Sequence, residues 1–185
     1  MSYKRLFLTS DWHFGCRSNS KEWLSIQRDY FYEIFIPFLK SKYQPGDVVL
    51  HLGDVYDNRQ SIEQQINDVV IDIVEEISKI MPMYIIAGNH DIYRKNSNNI
   101  TSLKNLKFIP NVTVLQEPET FEWSGKKCML MPWRKDHHHA KEELDQAEPG
   151  DYLFAHFDVT GARFNRNVEI EDGVVVDQTF KFKKI

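Results

Sequence analysis

The segment DVVLHLGD at residues 47–54 decides the fold, because a short apolar run ends abruptly in a glycine and an aspartate. Two other segments have the same form. Residues 5–9 (RLFLT) lead to DWH at residues 11–13, and residues 83–87 (MYIIA) lead to GNHD at residues 88–91. Apolar runs of this length bounded by turn residues are typical of buried strands. We therefore predict three strands, each followed by a polar loop.

Helical periodicity fills the intervals between these strands. It covers residues 21–42 and then residues 61–80, where Ser61 is the predicted N-cap and Glu63 and Gln64 lie in the first turn. Strands that alternate with helices favour βαβ units and a largely parallel sheet. The first half of the chain is therefore predicted to be α/β.

The second half of the chain has a different pattern. A polar helix is predicted at residues 138–147. Turn residues separate short strand-like runs at residues 112–115, 120–123, 127–131, 152–155 and 173–180. We expect a second, more antiparallel sheet packed on the first. Residues 1–185 are predicted to form one domain, because the chain has no repeat, linker or low-complexity tract.

Length and composition limit the class of protein. A chain of 185 residues with 42% hydrophobic and 27% charged residues fits one globular domain with a sizeable core. No segment approaches the ~18 apolar residues of a membrane span, and the N-terminus lacks a signal-peptide pattern. We expect a cytoplasmic protein with no membrane association, in which the distant Cys16 and Cys128 are reduced. The net charge of −4 does not identify the substrate, because bound cations would cancel carboxylates where the substrate lands.

The loops after the predicted strands carry side chains that can bind metal ions. In an open α/β sheet, groups just beyond the carboxyl ends of neighbouring strands converge on one crevice. The candidate ligands are Asp11, His13, Asp54, Asn89 and, after the strand at residues 152–155, His156. This oxygen and nitrogen set without thiolate favours manganese, iron or zinc over calcium. Asp54 follows the middle strand and is the natural carboxylate to bridge two cations.

Each candidate ligand also has a structural interpretation. An aspartate after a strand, such as Asp11 or Asp54, is equally typical of a turn or a helix cap. A single histidine such as His156 is more often a structural residue. The ordered series of four strand ends, each with a suitable ligand, favours a metal centre. Gly53 and Gly88 are expected where the backbone must turn sharply or approach a ligand closely.

The ordered motifs D-x-H, G-D-x-x-D and G-N-H-D, with a later histidine, resemble the calcineurin-like metallophosphoesterase superfamily. Here they occupy residues 11–13, 53–57, 88–91 and 156. The LTSDWHFG opening, the GDVYD loop and the MPW at residues 131–133 are similar to a DNA-repair branch. That branch contains the nuclease subunit of the bacterial SbcCD complex and bacteriophage recombination-endonuclease subunits. The resemblance implies an α/β fold, an αββα sandwich of two mixed β-sheets flanked by helices, here truncated at its C-terminal end.

The resemblance also implies a role for each motif residue. A first metal ion would be bound by Asp11 and His13, a second by Asn89 and His156, and both by Asp54. The implied cofactor is a pair of divalent ions, with Mn²⁺ expected and iron or zinc as alternatives.

His90 would act as general acid or transition-state stabiliser, facing the leaving oxygen. Asp57 would orient His90, as a carboxylate partner often fixes an imidazole tautomer. The alternative for Asp57 is a turn or cap residue before the next helix.

One motif of the superfamily is missing. The family pattern ends with G-H-x-H, whereas this chain has no histidine after His156 and stops at Ile185. We expect either a fragment or replacement ligands from water, another subunit or an unusual residue, and in each case a weakened second metal. The three consecutive histidines at residues 137–139 are interpreted as the solvated start of a helix rather than as replacement ligands.

Arginines and tryptophans near the motifs are candidates for substrate contact. Arg17, Arg59 and Arg94 follow the three metal loops and could hold phosphate oxygens. Exposed arginines in surface ion pairs are equally common. Trp12 and Trp133 could stack nucleobases, but packing in the core is the more common use of tryptophan.

We therefore predict a metal-dependent phosphodiesterase, specifically a DNA exo- or endonuclease subunit in recombination or repair. The expected partners are DNA and, by resemblance, an ATPase subunit and a second copy of the chain, in the cytoplasm of the cell or of a phage host. Two alternatives stay open. One is a small-molecule or phosphoprotein phosphoesterase with the same metals, and the other is a catalytically weak binding module. A nuclease requires an open groove with basic flanks, whereas a nucleotide phosphatase requires a closed pocket.

Overall fold

Two β-sheets lie face to face in the computed structural model, and helices cover both outer faces. The structure describes residues 2–93, 100–134, 136–166, 168–176 and 180–185. The strands in chain order are β1 (Ser2–Tyr3), β2 (Leu6–Thr9), β3 (Val48–His51), β4 (Met83–Ile86), β5 (Val112–Leu115), β6 (Glu119–Trp123), β7 (Lys126–Met131), β8 (Gly150–Ala155), β9 (Arg163–Asn165), β10 (Val168–Glu169) and β11 (Phe182–Lys184).

Four right-handed α-helices accompany these strands in the described part of the chain: α1 (Lys21–Tyr30), α2 (Ile36–Lys42), α3 (Gln64–Ser78) and α4 (His137–Gln146). A short helical turn, Cys16–Asn19, precedes them and has left-handed φ at Arg17 and Ser18. A π-helical turn, Phe31–Phe35, joins α1 to α2. The helix predicted at residues 21–42 is therefore continuous, but hydrogen bonds within that turn span five residues rather than four, as from the amide of Ile36 to the carbonyl of Phe31. A 3₁₀ helix spans Ser102–Phe108. None of the helices in the described part of the chain combines the length and apolarity that a membrane crossing needs.

The first sheet contains β2, β3, β4 and β5 in that order, and every pair is parallel, as the alternation of strands and helices predicts. Thr9 at the end of β2 pairs with His51 at the end of β3, and His51 pairs with Ile85 near the end of β4. The three strands therefore end at one level. Their polar loops leave the sheet along the same edge, which places the candidate ligands together.

The second sheet is mixed, with the order β1, β6, β7, β8 and β11. It is the more antiparallel of the two sheets, as predicted, but only through the pair β6 and β7, because its other three pairs are parallel. A tight turn at Ser124 and Gly125, both with positive φ, joins those two strands. The connection from β7 to β8 instead runs through α4, and a crossover of that kind produces a parallel pair.

Three apolar layers hold the sheets and helices together. Between the two sheets lie the buried side chains of Val48, Leu50, Ile86, Leu115 and Leu130. On the outer face of the first sheet, α3 buries one stripe of side chains at helical spacing, namely Ile66, Val70, Ile73, Val74 and Ile77. Burial of each such side chain contributes about 1.5–3 kcal/mol. On the far side, α4 packs against the second sheet through Ala140 and Leu144.

The start of α3 differs from the prediction. The N-cap is Glu63, whereas the sequence predicts Ser61. The side chain of Asn58 accepts hydrogen bonds from the amides of Gln60 and Ser61, so this segment forms a turn of its own. The helix can begin only after the chain leaves that turn.

Other expectations fall partly outside the described residues. Of the extended segment predicted at residues 173–180, Val174 forms a parallel bridge with Val159, and residues 177–179 lie outside the described part. Cys16 and Cys128 are both free thiols, as predicted.

Candidate metal centre

Polar side chains from four strand ends meet at one edge of the first sheet. Asp11 and His13 follow β2, Asp54 follows β3, and Asn89 follows β4. His156 arrives from β8 of the other sheet, where its amide donates to the carbonyl of Met131.

The atoms that could bind metal form a connected chain with Asp54 in the middle. Oδ2 of Asp54 lies 3.6 Å from Nε2 of His13 and 3.6 Å from Nε2 of His156. Nε2 of His13 also lies 3.6 Å from Oδ1 of Asp11. At the other end, Nε2 of His156 lies 3.0 Å from Oδ1 of Asn89. The structure thus brings together all five predicted metal-binding residues.

The chemistry of this donor set fits divalent cations. The 3.6 Å separations are too long for hydrogen bonds but close to the about 3.0–3.4 Å expected between two ligands that share one ion at about 2.1 Å. Among the described residues, no lysine or arginine forms an ion pair with Asp11 or Asp54. The negative charge of this cluster therefore has no fixed cationic partner in the described chain.

The hydrogen bond of His156 on its other ring nitrogen supports the same interpretation. Nδ1 of His156 donates to the carbonyl of Leu52 at 2.8 Å, so in the neutral ring Nε2 carries the lone pair. That lone pair faces Oδ1 of Asn89, which is also an acceptor. A cation bound by both atoms would satisfy two acceptors that otherwise oppose each other.

His90 lies beside this cluster. Its amide donates to Oδ1 of Asp54 at 2.8 Å, and its ring packs edge-on against that of His13, with centroids 4.9 Å apart. His13, Asp54 and His90 each offer a ligand atom, and these three atoms lie within 4.8 Å of one another. His90 is therefore close enough either to act on a bound phosphate or to bind metal itself.

Asp57 contacts the cluster in a different way from the prediction. The sequence predicts that its carboxylate orients His90. Instead, its main-chain carbonyl lies 2.5 Å from Nδ1 of His90, and its carboxylate lies 3.4 Å from Nδ1 of His13. The single residue thus faces both imidazoles, one through the backbone and one through the side chain.

The loops that carry these residues have unusual backbone conformations. Asp11, His13 and Asp54 all have positive φ, at 55°, 46° and 59°. Such conformations cost non-glycine residues about 1–3 kcal/mol each and concentrate at functional sites. Backbone hydrogen bonds hold the loops in place, among them those from the amide of Asp11 to the carbonyl of Gly53 at 3.0 Å and from the amide of His13 to the carbonyl of Asp54 at 3.1 Å.

Gly53 and Gly88 are required by close approach, as the sequence predicts. Gly53 has φ of +98°, and a Cβ there would lie 2.5 Å from Nδ1 of His156. A Cβ on Gly88 would overlap the carboxylate and the amide nitrogen of Asp54. Any larger residue at either position would push a candidate ligand out of place.

Asp91 connects the second and third loops, a role that the sequence does not reveal. Its carboxylate is fully buried and accepts hydrogen bonds from the amides of Asp54 (2.8 Å), Val55 (3.1 Å), Tyr56 (3.2 Å) and Gly88 (3.0 Å). Burial raises the pKa of Asp91 to about 6, helped by the nearby carboxylate of Asp54 and opposed by these amides. The sequence signal is its place as the last residue of the G-N-H-D motif at residues 88–91.

His51 is a second residue whose role sequence reasoning misses. It is fully buried at the end of β3, and its Nδ1 accepts a hydrogen bond from the amide of Gly53 at 3.2 Å. Its Nε2 has no hydrogen-bond partner in the part of the chain that the structure describes. Burial, and then the charges of His156 and His13, lower the pKa of His51 to about 3, so the ring is neutral. A histidine inside the apolar run VVLHL is the signal that could have identified it.

The remaining candidates differ in exposure and in the contacts that they make. Arg17 is exposed and stacks on the ring of Trp23, with 4.3 Å from its Cζ to the ring centroid, and Arg59 is half-buried. Arg94 lies outside the described residues. Trp12 and Trp133 are buried, consistent with core packing, and the amide of Trp133 donates to the carbonyl of Ala87.

The histidine triplet behaves as predicted at the start of α4. The amide of the third histidine, His139, is capped by Asp136 at 2.7 Å, and Nε2 of His137 lies 2.9 Å from Asp172.

Comparison with known proteins places this geometry in a family. The model of the family described as calcineurin-like phosphoesterase matches residues 4–180. The chain belongs to the calcineurin-like phosphoesterase family. Members of the calcineurin-like phosphoesterase family hydrolyse phosphate esters and bind divalent metals.

Two individual proteins are similar to this chain. Exonuclease subunit 1 of Enterobacteria phage T4 is 27% identical over 165 residues, which cover 86% of this chain and 47% of that protein. The chain thus spans about half the length of this curated relative. The solved structure of AQ665 from Aquifex aeolicus, described as a protein of unknown function, is 17% identical with a TM-score of 0.52. That match covers 97% of this chain and 87% of the other, and it supports the fold alone.

Proposed function

We propose that this chain is the nuclease portion of a metal-dependent enzyme that hydrolyses phosphodiester bonds in DNA. The observation that carries the proposal is the position of Asp54, whose Oδ2 lies 3.6 Å from an imidazole nitrogen on each side. One carboxylate between two imidazoles, with Asp11 and Asn89 beyond them, is the arrangement expected of a site for two cations.

The donor set supports manganese as the native metal. Carboxylate and amide oxygens with imidazole nitrogens, and no thiolate, suit Mn²⁺, with iron and zinc as alternatives. In the proposed assignment, Asp11 and His13 would hold one ion, Asn89 and His156 would hold the other, and Asp54 would contribute to both. When bound, such a pair of ions lowers the pKa of a water molecule and neutralises charge on the phosphate oxygens.

The protein residues would position the substrate and move a proton. His90 is the proposed general acid, because its Nδ1 donates to the carbonyl of Asp57 while Nε2 is left to face a leaving oxygen. As a general acid the ring would carry its transferable proton on Nε2, while the contact of Nδ1 with that carbonyl fixes the orientation of the ring. The carboxylate of Asp57 lies 3.4 Å from Nδ1 of His13, which has no hydrogen-bond partner in the described part of the chain, so a small shift of either side chain would let Asp57 accept a hydrogen bond from that nitrogen.

DNA is the proposed substrate because the phage T4 relative is an exonuclease subunit. As a subunit, that relative also supports the proposal that this chain works with other subunits, an ATPase and a second copy among them. The LTSDWHFG, GDVYD and MPW motifs support the same branch of the family.

Hydrolysis of simple and polymeric substrates tests the proposal. With Mn²⁺, the purified chain should cleave bis-p-nitrophenyl phosphate, a diester, faster than p-nitrophenyl phosphate, a monoester, and should cleave single- or double-stranded DNA. Faster hydrolysis of the monoester, with no cleavage of DNA, would favour a small-molecule phosphatase. Binding of DNA without hydrolysis of any of these compounds would indicate a binding module instead.

A further inference from the structure

Two arginines beside the candidate metal centre have no carboxylate partner in the described part of the chain. The structure describes seven arginines. Four of them pair with carboxylates: Arg5 with Asp47, Arg28 with Asp29, Arg134 with Glu117 and Glu143, and Arg163 with Glu169. The other three are Arg17, Arg59 and Arg166. Arg166 lies in the hairpin turn between β9 and β10, whereas Arg17 and Arg59 follow two of the metal loops.

The loops that carry Arg17 and Arg59 are joined to each other. Phe14 and Tyr56 form a parallel bridge, and the amide of Asp57 donates to the carbonyl of Phe14 at 3.0 Å. Further along, the side chain of Asn19 donates to Glu63 at 3.0 Å. The two arginines therefore lie on neighbouring segments that leave the centre on the side of His13 and Asp57.

Arg17 is held by its surroundings rather than by an ion pair. Its guanidinium stacks on the half-buried ring of Trp23 at 4.3 Å. Arg17, Ser18 and Asn19 have φ of 54°, 57° and 60°, which makes a left-handed turn of three non-glycine residues. The amide of Asn19 closes that turn on the carbonyl of Gly15 at 3.0 Å. A guanidinium that lies over an aromatic face keeps its N–H donors in its own plane, away from the ring and available to an anion.

We infer that Arg17 and Arg59 bind phosphate groups of a nucleic-acid strand that neighbour the phosphate being hydrolysed. The inference rests on the proposed function and specifies the substrate as a polynucleotide that continues past the metal centre on the His13 side. A ligand with a single phosphate would occupy the metal centre and leave both arginines without a partner. An extended strand supplies an anion for each.

Binding of a fluorescein-labelled oligothymidylate, followed by anisotropy without divalent metal, tests this inference separately from hydrolysis. Arg17→Gln and Arg59→Gln should each weaken binding by about tenfold and reduce the slope of log affinity against log salt by about 0.7. Arg28→Gln is the matched control, since Arg28 is equally a surface arginine but pairs with Asp29. It should bind as the wild type does.

Hydrolysis then shows which proposal fails, if one does. With Mn²⁺, the ratio of the rate on the oligonucleotide to the rate on bis-p-nitrophenyl phosphate should fall about tenfold in the Arg17 and Arg59 variants. If the variants match the wild type in affinity, salt dependence and rate ratio, the inference is overturned, even if the wild type is an active phosphodiesterase. If the variants bind the oligonucleotide more weakly but the wild type hydrolyses no phosphodiester, only the proposed function is overturned.

Discussion

Asp54 and His156 come from different sheets, yet Oδ2 of Asp54 lies 3.6 Å from Nε2 of His156. The same oxygen lies 3.6 Å from Nε2 of His13. Asp54 is therefore the residue whose change affects both halves of the proposed centre.

Asp54→Asn should remove the bridging charge while keeping an oxygen for the amide of His90. Loss of residues that only support a metal ligand costs about 10–100-fold in affinity or activity, so loss of a shared ligand should cost more than about 100-fold in turnover. Rates on bis-p-nitrophenyl phosphate and calorimetric titration with Mn²⁺ measure the two effects. Retained turnover in Mn²⁺ would rule out the bridging role.

His90→Ala distinguishes a proton donor from a metal ligand. If His90 acts in the transition state, turnover should fall by about 10²–10⁴-fold while Mn²⁺ affinity stays the same. The same calorimetric titration provides the check. A parallel loss of bound metal would make His90 a ligand, which its distance to His13 and Asp54 also permits.

His51 offers a matched pair of substitutions. His51→Leu removes the acceptor for the amide of Gly53, and Mn²⁺ affinity should fall about tenfold because the Gly53–Asp54 turn loses its support. His51→Asn can place an acceptor where Nδ1 lies, so its affinity should stay within about threefold of the wild type. Equal affinities in both variants, with unchanged circular dichroism, would contradict this role.

Gly88→Ala should disturb the centre by overlap alone, because a Cβ there meets Asp54. We expect the free energy of unfolding to fall by about 1–3 kcal/mol and Mn²⁺ binding to weaken. Gly125→Ala is the control: its φ is +76°, and a Cβ there meets no atom within 4 Å. Denaturant unfolding of both variants, with Mn²⁺ titration, separates overlap from backbone strain. Full Mn²⁺ affinity in Gly88→Ala would refute the steric argument.

The ion pair of Arg5 with Asp47 predicts a dependence of stability on pH. The hydrogen bond from Arg5 lowers the pKa of the Asp47 carboxyl below its usual 3.8, aided by the amide of Gln44. A lowered pKa in the folded state stabilises the fold above pH 3.8, and this stabilisation is lost as the pH falls further. Asp47→Asn should lower Tm by about 2–4 °C at pH 7, and its deficit should shrink below pH 3.8. If the difference in Tm between Asp47→Asn and the wild type does not change with pH, the charge of Asp47 does not cause the stabilisation.

Much of the fold could be predicted, because apolar runs and polar strand ends are local features of the sequence. These local features predict the three parallel strands and the helix at residues 21–42. They also predict that Asp11, Asp54 and His156 lie together. The cap at Glu63 could not be predicted, since the side chain of Asn58 organises the preceding turn.

The supporting contacts of the site were also beyond the sequence. Asp91 accepts hydrogen bonds from the backbone amides of another loop, and His51 accepts one from the amide of Gly53 in its own loop. Asp57 uses its carbonyl rather than its carboxylate toward His90. Backbone groups are the same in every residue, so residue identity carries no trace of these contacts. Only the burial of polar groups inside apolar runs suggests them.

The link between β8 and the first sheet has a consequence for how the chain matures. Asn89 and His156 are far apart along the chain, and they meet only once the second sheet has docked, with the amide of Trp133 on the carbonyl of Ala87. A nascent chain that has completed only its first sheet has the ligands from three of the four strand ends and lacks His156. Two metal ions can therefore bind tightly only after the second sheet has docked. Once bound, they would stabilise the packing of the two sheets against each other.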